Sequence, residues 1–110
     1  MNKIVFSCSG CSDLGHISDL LARRFRDNGV RNMHCLAAVG AYPGESAQDY
    51  AGSDILVLDG CPVSCGKTVL KNAGLDTIKC VLLTDMGYKK GKTPVTQDIL
   101  DEIYFKIETL

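Results

Sequence analysis

The chain has 110 residues, 45% of them hydrophobic and 23% charged, with a formal net charge of -1. This is the composition of one globular domain, residues 1–110, and not of a disordered or fibrous chain; its near-neutral balance gives no general attraction for nucleic acid or anionic lipid. No apolar run approaches the roughly 20 residues of a membrane span, and Met1-Asn2-Lys3 leads into a strand-like run instead of a signal peptide, so a cytoplasmic protein with no nucleic-acid and no membrane partner is expected.

Ile4-Val5-Phe6 is a β-branched and aromatic run that suits a buried strand, and it leads into Cys8. After the loop carrying Cys8 and Cys11, Ser12 or Asp13 can cap a helix. Leu14, Ile17, Leu21 and Phe25 recur there at helical spacing, Arg23, Arg24 and Arg26 keep the opposite surface wet, and Asn28-Gly29 stops it. Residues 33–39 (Met-His-Cys-Leu-Ala-Ala-Val) are apolar without strict alternation, which predicts a second strand covered on both faces, with Cys35 in the core and His34 making a local hydrogen bond. Tyr42-Pro43-Gly44 reads as a turn, and residues 45–51 as a short helix that Gly52-Ser53 breaks.

Ile55-Leu56-Val57-Leu58 is the clearest buried strand, and it delivers Asp59-Gly60-Cys61. Residues 66–73 predict a brief helix closed by Gly74. Residues 80–84 predict a fourth strand beginning at Cys80, which puts that cysteine in the core at the pole away from Cys61. The only basic cluster, Lys89, Lys90 and Lys92, falls in a polar loop and reads as a solvated surface. A last helix begins near Pro94 or Thr96, with Ile99, Ile103, Ile107 and Leu110 on its apolar face. Strands alternating with helices predict a small three-layer αβα fold around a four-stranded parallel sheet, in the order 2-1-3-4. Strands 1 and 3 are then neighbours, and ligands bind outside the carboxyl ends of strands at such a switch point.

Six cysteines without an export signal point to ligands or redox groups and not to a disulfide framework. Cys8 and Cys11, two residues apart, follow strand 1; Cys61 and Cys65, three residues apart, follow strand 3, and both gaps fall in the range of zinc ligand pairs. Adjacent strands run about 4.8 Å apart, so the two loops can bring four thiolates to one tetrahedral ion. Such a site carries a net charge near -2 by the charges of four thiolates and one divalent ion, which calls for donors. Backbone N–H groups at the helix starts after Cys11 and Cys65 supply them, and Lys67 adds a positive charge. Asp59 has two roles open to it, accepting N–H bonds in its own turn or orienting a ligand, and His16 stands where it could support the first pair.

With these residues in view, the chain resembles the small zinc-binding domains named for a central Asp-Gly-Cys motif. The likeness covers almost the whole chain and rests on Cys8-Ser9-Gly10-Cys11, the small-residue run Leu36-Ala37-Ala38-Val39, Asp59-Gly60-Cys61-Pro62 with Cys65, and the stretch from Leu83-Thr84-Asp85 through Gly91. The resemblance implies four metal-ligating cysteines, here Cys8, Cys11, Cys61 and Cys65.

The functional expectation is a zinc-binding protein with a structural, sensing or metal-delivery role. Four thiolates close the coordination shell of zinc, which argues against hydrolysis. The alternative is a thiol-disulfide redox protein, or an electron-transfer protein holding an iron-sulfur cluster on the same cysteines. A nucleotide site is a poorer fit. Gly66-Lys67-Thr68 follows a buried strand as in a P-loop, but five residues separate Gly60 from Gly66 where four are required, and Pro62 removes an N–H from the cradle.

Overall fold

The computed structural model describes residues 2–60 and 62–110. Its four strands, β1 (Lys3–Ser7), β2 (Asn32–Met33), β3 (Asp54–Asp59) and β4 (Ile78–Leu82), form one sheet in the order β2-β1-β3-β4, every neighbouring pair parallel. The helices are α1 (Asp13–Asp27), α2 (Leu36–Ala41), α3 (Pro43–Tyr50), α4 (Cys65–Asn72) and α5 (Gln97–Ile107), with one 3-10 turn at Leu83–Met86. The expected small three-layer fold and strand order are those observed.

Alternate side chains of the two central strands go to opposite layers, as the pleat requires. Val5, Leu56 and Leu58 pack with Leu14, Ile17, Leu21 and Phe25 of α1 and with Leu100 and Ile103 of α5. Ile4, Phe6, Ile55 and Val57 pack on the other side with Val39 of α2 and Leu70 of α4. Each fully buried aliphatic or aromatic side chain contributes about 1.5–3 kcal/mol, so two such layers hold the sheet by apolar burial alone.

Two expectations from the sequence need correction. The second strand is only two residues long. After the His34 N–H bonds the Val5 carbonyl at 3.2 Å, the chain leaves the sheet and becomes α2. Leu36, Ala37 and Ala38 are strong helix formers, and Val39 is the one residue of α2 that is buried, so a single apolar anchor suffices where a strand would need two covered faces. Cys35 is therefore not core; it is the exposed N-cap of α2. The fourth strand starts at Ile78 instead of Cys80, because the register of β3 sets Ile78 opposite Ile55 and Cys80 opposite Val57. Cys80 is thus mid-strand and exposed on an edge strand. A smaller difference lies at Pro43, which opens α3 in place of a turn, since a missing N–H costs nothing at the first helical position.

An interior arginine ties the amino end of the sheet to the chain's far end. The Arg31 side chain is fully buried. Its Nη1 donates to the carbonyls of Ile4 and Asp54, its Nη2 to the Asp54 carboxylate at 3.0 Å, and its Nε to the Leu110 carbonyl. Every charge-bearing edge of the guanidinium that burial strips of water is met by an acceptor. Among the described residues no helix is long and apolar enough to cross a membrane.

Candidate functional site

β1 and β3 lie side by side with Ser7 opposite Leu58, and the Cys8 N–H donates to the Leu58 carbonyl at 3.0 Å. The two cysteine-bearing loops therefore leave the sheet from neighbouring positions at one edge. Both then pass against the first turn of α1, and glycines make that approach possible. A Cβ on Gly60 would lie 2.8 Å from the Leu14 carbonyl carbon, and a Cβ on Gly15 would lie 2.7 Å from the Gly10 carbonyl oxygen. Real Cβ atoms do not come so close, so at these positions only glycine lets the loop backbones touch the helix.

The first loop is held by polar side chains. Ser7 Oγ and Ser9 Oγ are 2.9 Å apart, Ser9 Oγ donates to Asp19, and Arg23 Nε donates to the other Asp19 oxygen at 2.7 Å. Burial pushes the Asp19 carboxyl up, but the bonds from Arg23 and Ser9 outweigh it and hold the group below its ordinary value. Ser12 caps α1 by accepting the Gly15 N–H. Asp13, next to it, accepts N–H groups from Gly91 and Thr93, which draw its carboxyl down and fasten the lysine loop beside Cys11. The sequence showed that loop only as a solvated surface.

The second loop hangs on Asp59. This residue has no exposed surface, and its two carboxylate oxygens accept the N–H of Gly66 at 2.8 Å and of Lys67 at 3.1 Å. An acid at the end of β3 thus satisfies two of the orphan donors that open α4, the first of the two roles its sequence position left open. Ser64 caps the same helix in the left-handed conformation, at φ 54°. It is the one described residue other than glycine with a positive φ.

Cys8 is half-buried at the end of β1, Cys11 is exposed just before α1, and Cys65 is the exposed first residue of α4. Cys61 lies outside the described residues. Among the described residues no group of three or more His, Cys, Asp or Glu side chains is assembled to hold a metal ion. His16 is exposed in the first turn of α1, and Lys67 is half-buried with its backbone bound to Asp59.

Two further thiols stand close to these loops. Cys80 Sγ is 4.0 Å from Asp59 Oδ2, and burial followed by the Asp59 charge pushes its thiol up. Cys35 and Cys8 line one cleft outside the ends of β1 and β2. Their spacing from the other cysteines gives no sign of this. The early exit of β2 sets Cys35 at the carboxyl edge, and the register of β4 sets Cys80 mid-strand within reach of Asp59.

No solved structure matches the chain. A curated relative, the anaerobic and virulence modulator AnvM of Pseudomonas aeruginosa, is 32% identical over 110 residues, covering 97% of this chain and 83% of the relative. The DGC domain matches residues 4–107, and so takes in both cysteine loops, the Asp59 anchor and all of the sheet but Lys3. An Asp-Gly-Cys motif whose aspartate caps α4, and whose glycine lets its loop lie against α1, is central to this structure as it is to that family's name: the chain belongs to the DGC domain family.

Proposed function

We propose that this domain binds one zinc ion through Cys8, Cys11, Cys61 and Cys65, and that the site serves a sensing or metal-delivery role, with a structural one as the simpler form. The observation that carries the reading is the junction of the two loops on α1: Gly60 against Leu14 and Gly10 against Gly15. Two loops from adjacent strands are pressed onto one helix turn, and each carries a cysteine pair. The donor chemistry agrees, since soft thiolates at C-x-x-C and C-x-x-x-C spacing select zinc or iron-sulfur clusters over hard cations. Asp59 fixes the start of α4 where Cys65 stands, and Lys67 offsets part of the thiolate charge. Zinc on four thiolates supplies a closed crosslink with no open position for substrate. The relative's description as a modulator favours a regulatory use of that crosslink.

Elemental analysis and an absorption spectrum of freshly purified protein test this. The expected result is a colourless protein with one zinc per chain, lost when any of Cys8, Cys11, Cys61 or Cys65 is changed to Ser and kept in Cys80→Ser. A brown protein with iron and sulfide, or a metal-free one with a Cys61–Cys65 disulfide, would overturn it. Chelation should loosen both loops and leave far-ultraviolet circular dichroism intact, because two apolar layers hold the sheet.

A further inference from the structure

The cleft outside the carboxyl ends of β1 and β2 has a volume of about 570 Å³, in the range of small-molecule sites. Its floor is apolar: Met33, Leu36 and Val69, each partly buried against the core, line it beside Gly40. Its charged lining is Asp19, Arg23 and Arg26, two cations against one anion, with His34 and the thiols of Cys8 and Cys35 as the other titratable groups. The anion is not open to a ligand. Asp19 already accepts from Ser9 and from Arg23 Nε, and its side chain is 18% exposed against 49% for Arg23 and 48% for Arg26. What this cleft offers a ligand is therefore guanidinium, although the chain as a whole carries a net charge of -1.

The two arginines stand three residues apart on α1, so they share one face of the helix. Arg23 places Nε on Asp19, and Arg26 places Nε and Nη2 on a single Asp27 oxygen. A guanidinium has five N–H donors, so both Nη groups of Arg23 and Nη1 of Arg26 keep donors for a second acceptor. The planar fork of a guanidinium matches the two oxygens of a carboxylate. A singly charged acid also balances the lining, whereas a phosphate dianion would leave excess negative charge beside Asp19. We propose that this cleft binds a small organic acid, one carboxylate on an apolar body. The carboxylate sits between Arg23 and Arg26, and the body lies on Met33, Leu36 and Val69. No cysteine is needed to hold such an acid, so the site stands independently of the zinc reading.

The test titrates the purified chain with naphthoate and with three analogues that change only the polar group: naphthylmethylammonium, naphthamide and naphthyl phosphate. Calorimetry gives the affinity and NMR the place. Expected is saturable binding of naphthoate with a Kd of about 1 mM or tighter. The Nε–H signals of Arg23 and Arg26 and the amides of His34 and Leu36 should shift. Those of Gly74 and Thr77, which line the cleft at the amino end of the sheet, should not. The three analogues should each bind about tenfold or more weakly. Arg26→Gln should weaken naphthoate about tenfold and leave naphthamide unchanged, and Arg26→Glu should make the ammonium the preferred ligand. Gly40→Leu narrows the cleft without touching a charge. A Cβ there would meet only Val69 Cγ1, at 3.8 Å, so the variant should fold and lose naphthoate by about tenfold. No saturable binding up to about 10 mM would overturn the proposal. So would ammonium or phosphate binding as tightly as the acid, shifts confined to the other cleft, or wild-type affinity in Arg26→Gln or Gly40→Leu.

Discussion

Replacing Asp59 with Ala removes the acceptor of two backbone N–H groups at once. The Gly66 N–H is buried, so in the variant it loses its 2.8 Å partner with no water to take its place, while the Lys67 N–H at 3.1 Å is part-buried and can be partly rehydrated. Hydrogen bonds to a charged group are worth about 1.5–3 kcal/mol each, for a gross loss of about 3–6 kcal/mol. Part of this is returned, because the carboxylate has no exposed surface and its own desolvation was unfavourable. A net destabilisation of about 2–3 kcal/mol remains. With a urea slope of about 2 kcal/mol/M, the midpoint should fall by about 1–1.5 M. Asp59→Asn should fall in between, since one amide oxygen can serve one N–H while its NH₂ faces the other. Amide exchange at Gly66 and Lys67, followed by NMR in native conditions, should quicken more than exchange in β1. A midpoint moved by less than about 0.25 M, or unchanged exchange at those two amides, would refute the view that Asp59 anchors the second loop.

Gly60→Ala should cost about 1–3 kcal/mol in chemical denaturation, because its Cβ would meet the backbone of Leu14 at 2.8 Å; wild-type stability would mean that the loop and helix are not in contact. Ser64 holds φ 54°, so Ser64→Gly should stay within about 0.5 kcal/mol of wild type, whereas the β-branched Ser64→Val should lose about 1–2 kcal/mol. Equal stability of the two would show that the left-handed turn is not required. The carboxyls of Asp13, Asp54 and Asp101 are all held below the ordinary aspartate range, Asp13 chiefly by the Gly91 N–H, Asp54 by Arg31 and Asp101 by Gln97. Depressed folded values mean stability that is fully present above the unfolded aspartate value of about 3.9 and lost as pH falls through the folded values. Thermal midpoints should therefore be flat from pH 7 to about 5 and drop below about pH 4, with the drop reduced in Asp54→Asn at the expense of neutral-pH stability.

Much of this protein was legible from local pattern. Leu14, Ile17, Leu21 and Phe25 specify α1 by their spacing, Ile55 to Leu58 specify a strand too apolar for any exposed place, and the alternation of such segments fixes a parallel sheet, because right-handed crossovers leave few other topologies. The two cysteine loops at the carboxyl ends of β1 and β3 follow from that order. Cys35 and Cys80 did not, because each depends on where a strand stops or starts, and that depends on a neighbour. β2 ends where a single bond to Val5 is followed by residues that gain more as a helix on Val39, and β4 begins where Ile55 needs a partner. The roles of Gly60 and Gly15 were equally hidden. In the sequence a glycine beside a cysteine reads as loop composition, and only the packing of α1 against both loops shows that a methyl group there has nowhere to go. Period and composition report how one segment meets water, which the sequence by itself determines; the distance between two segments far apart in the chain is set by the packing of everything between them, and it was that packing which brought Asp59, Cys8 and Cys35 to one edge of the sheet.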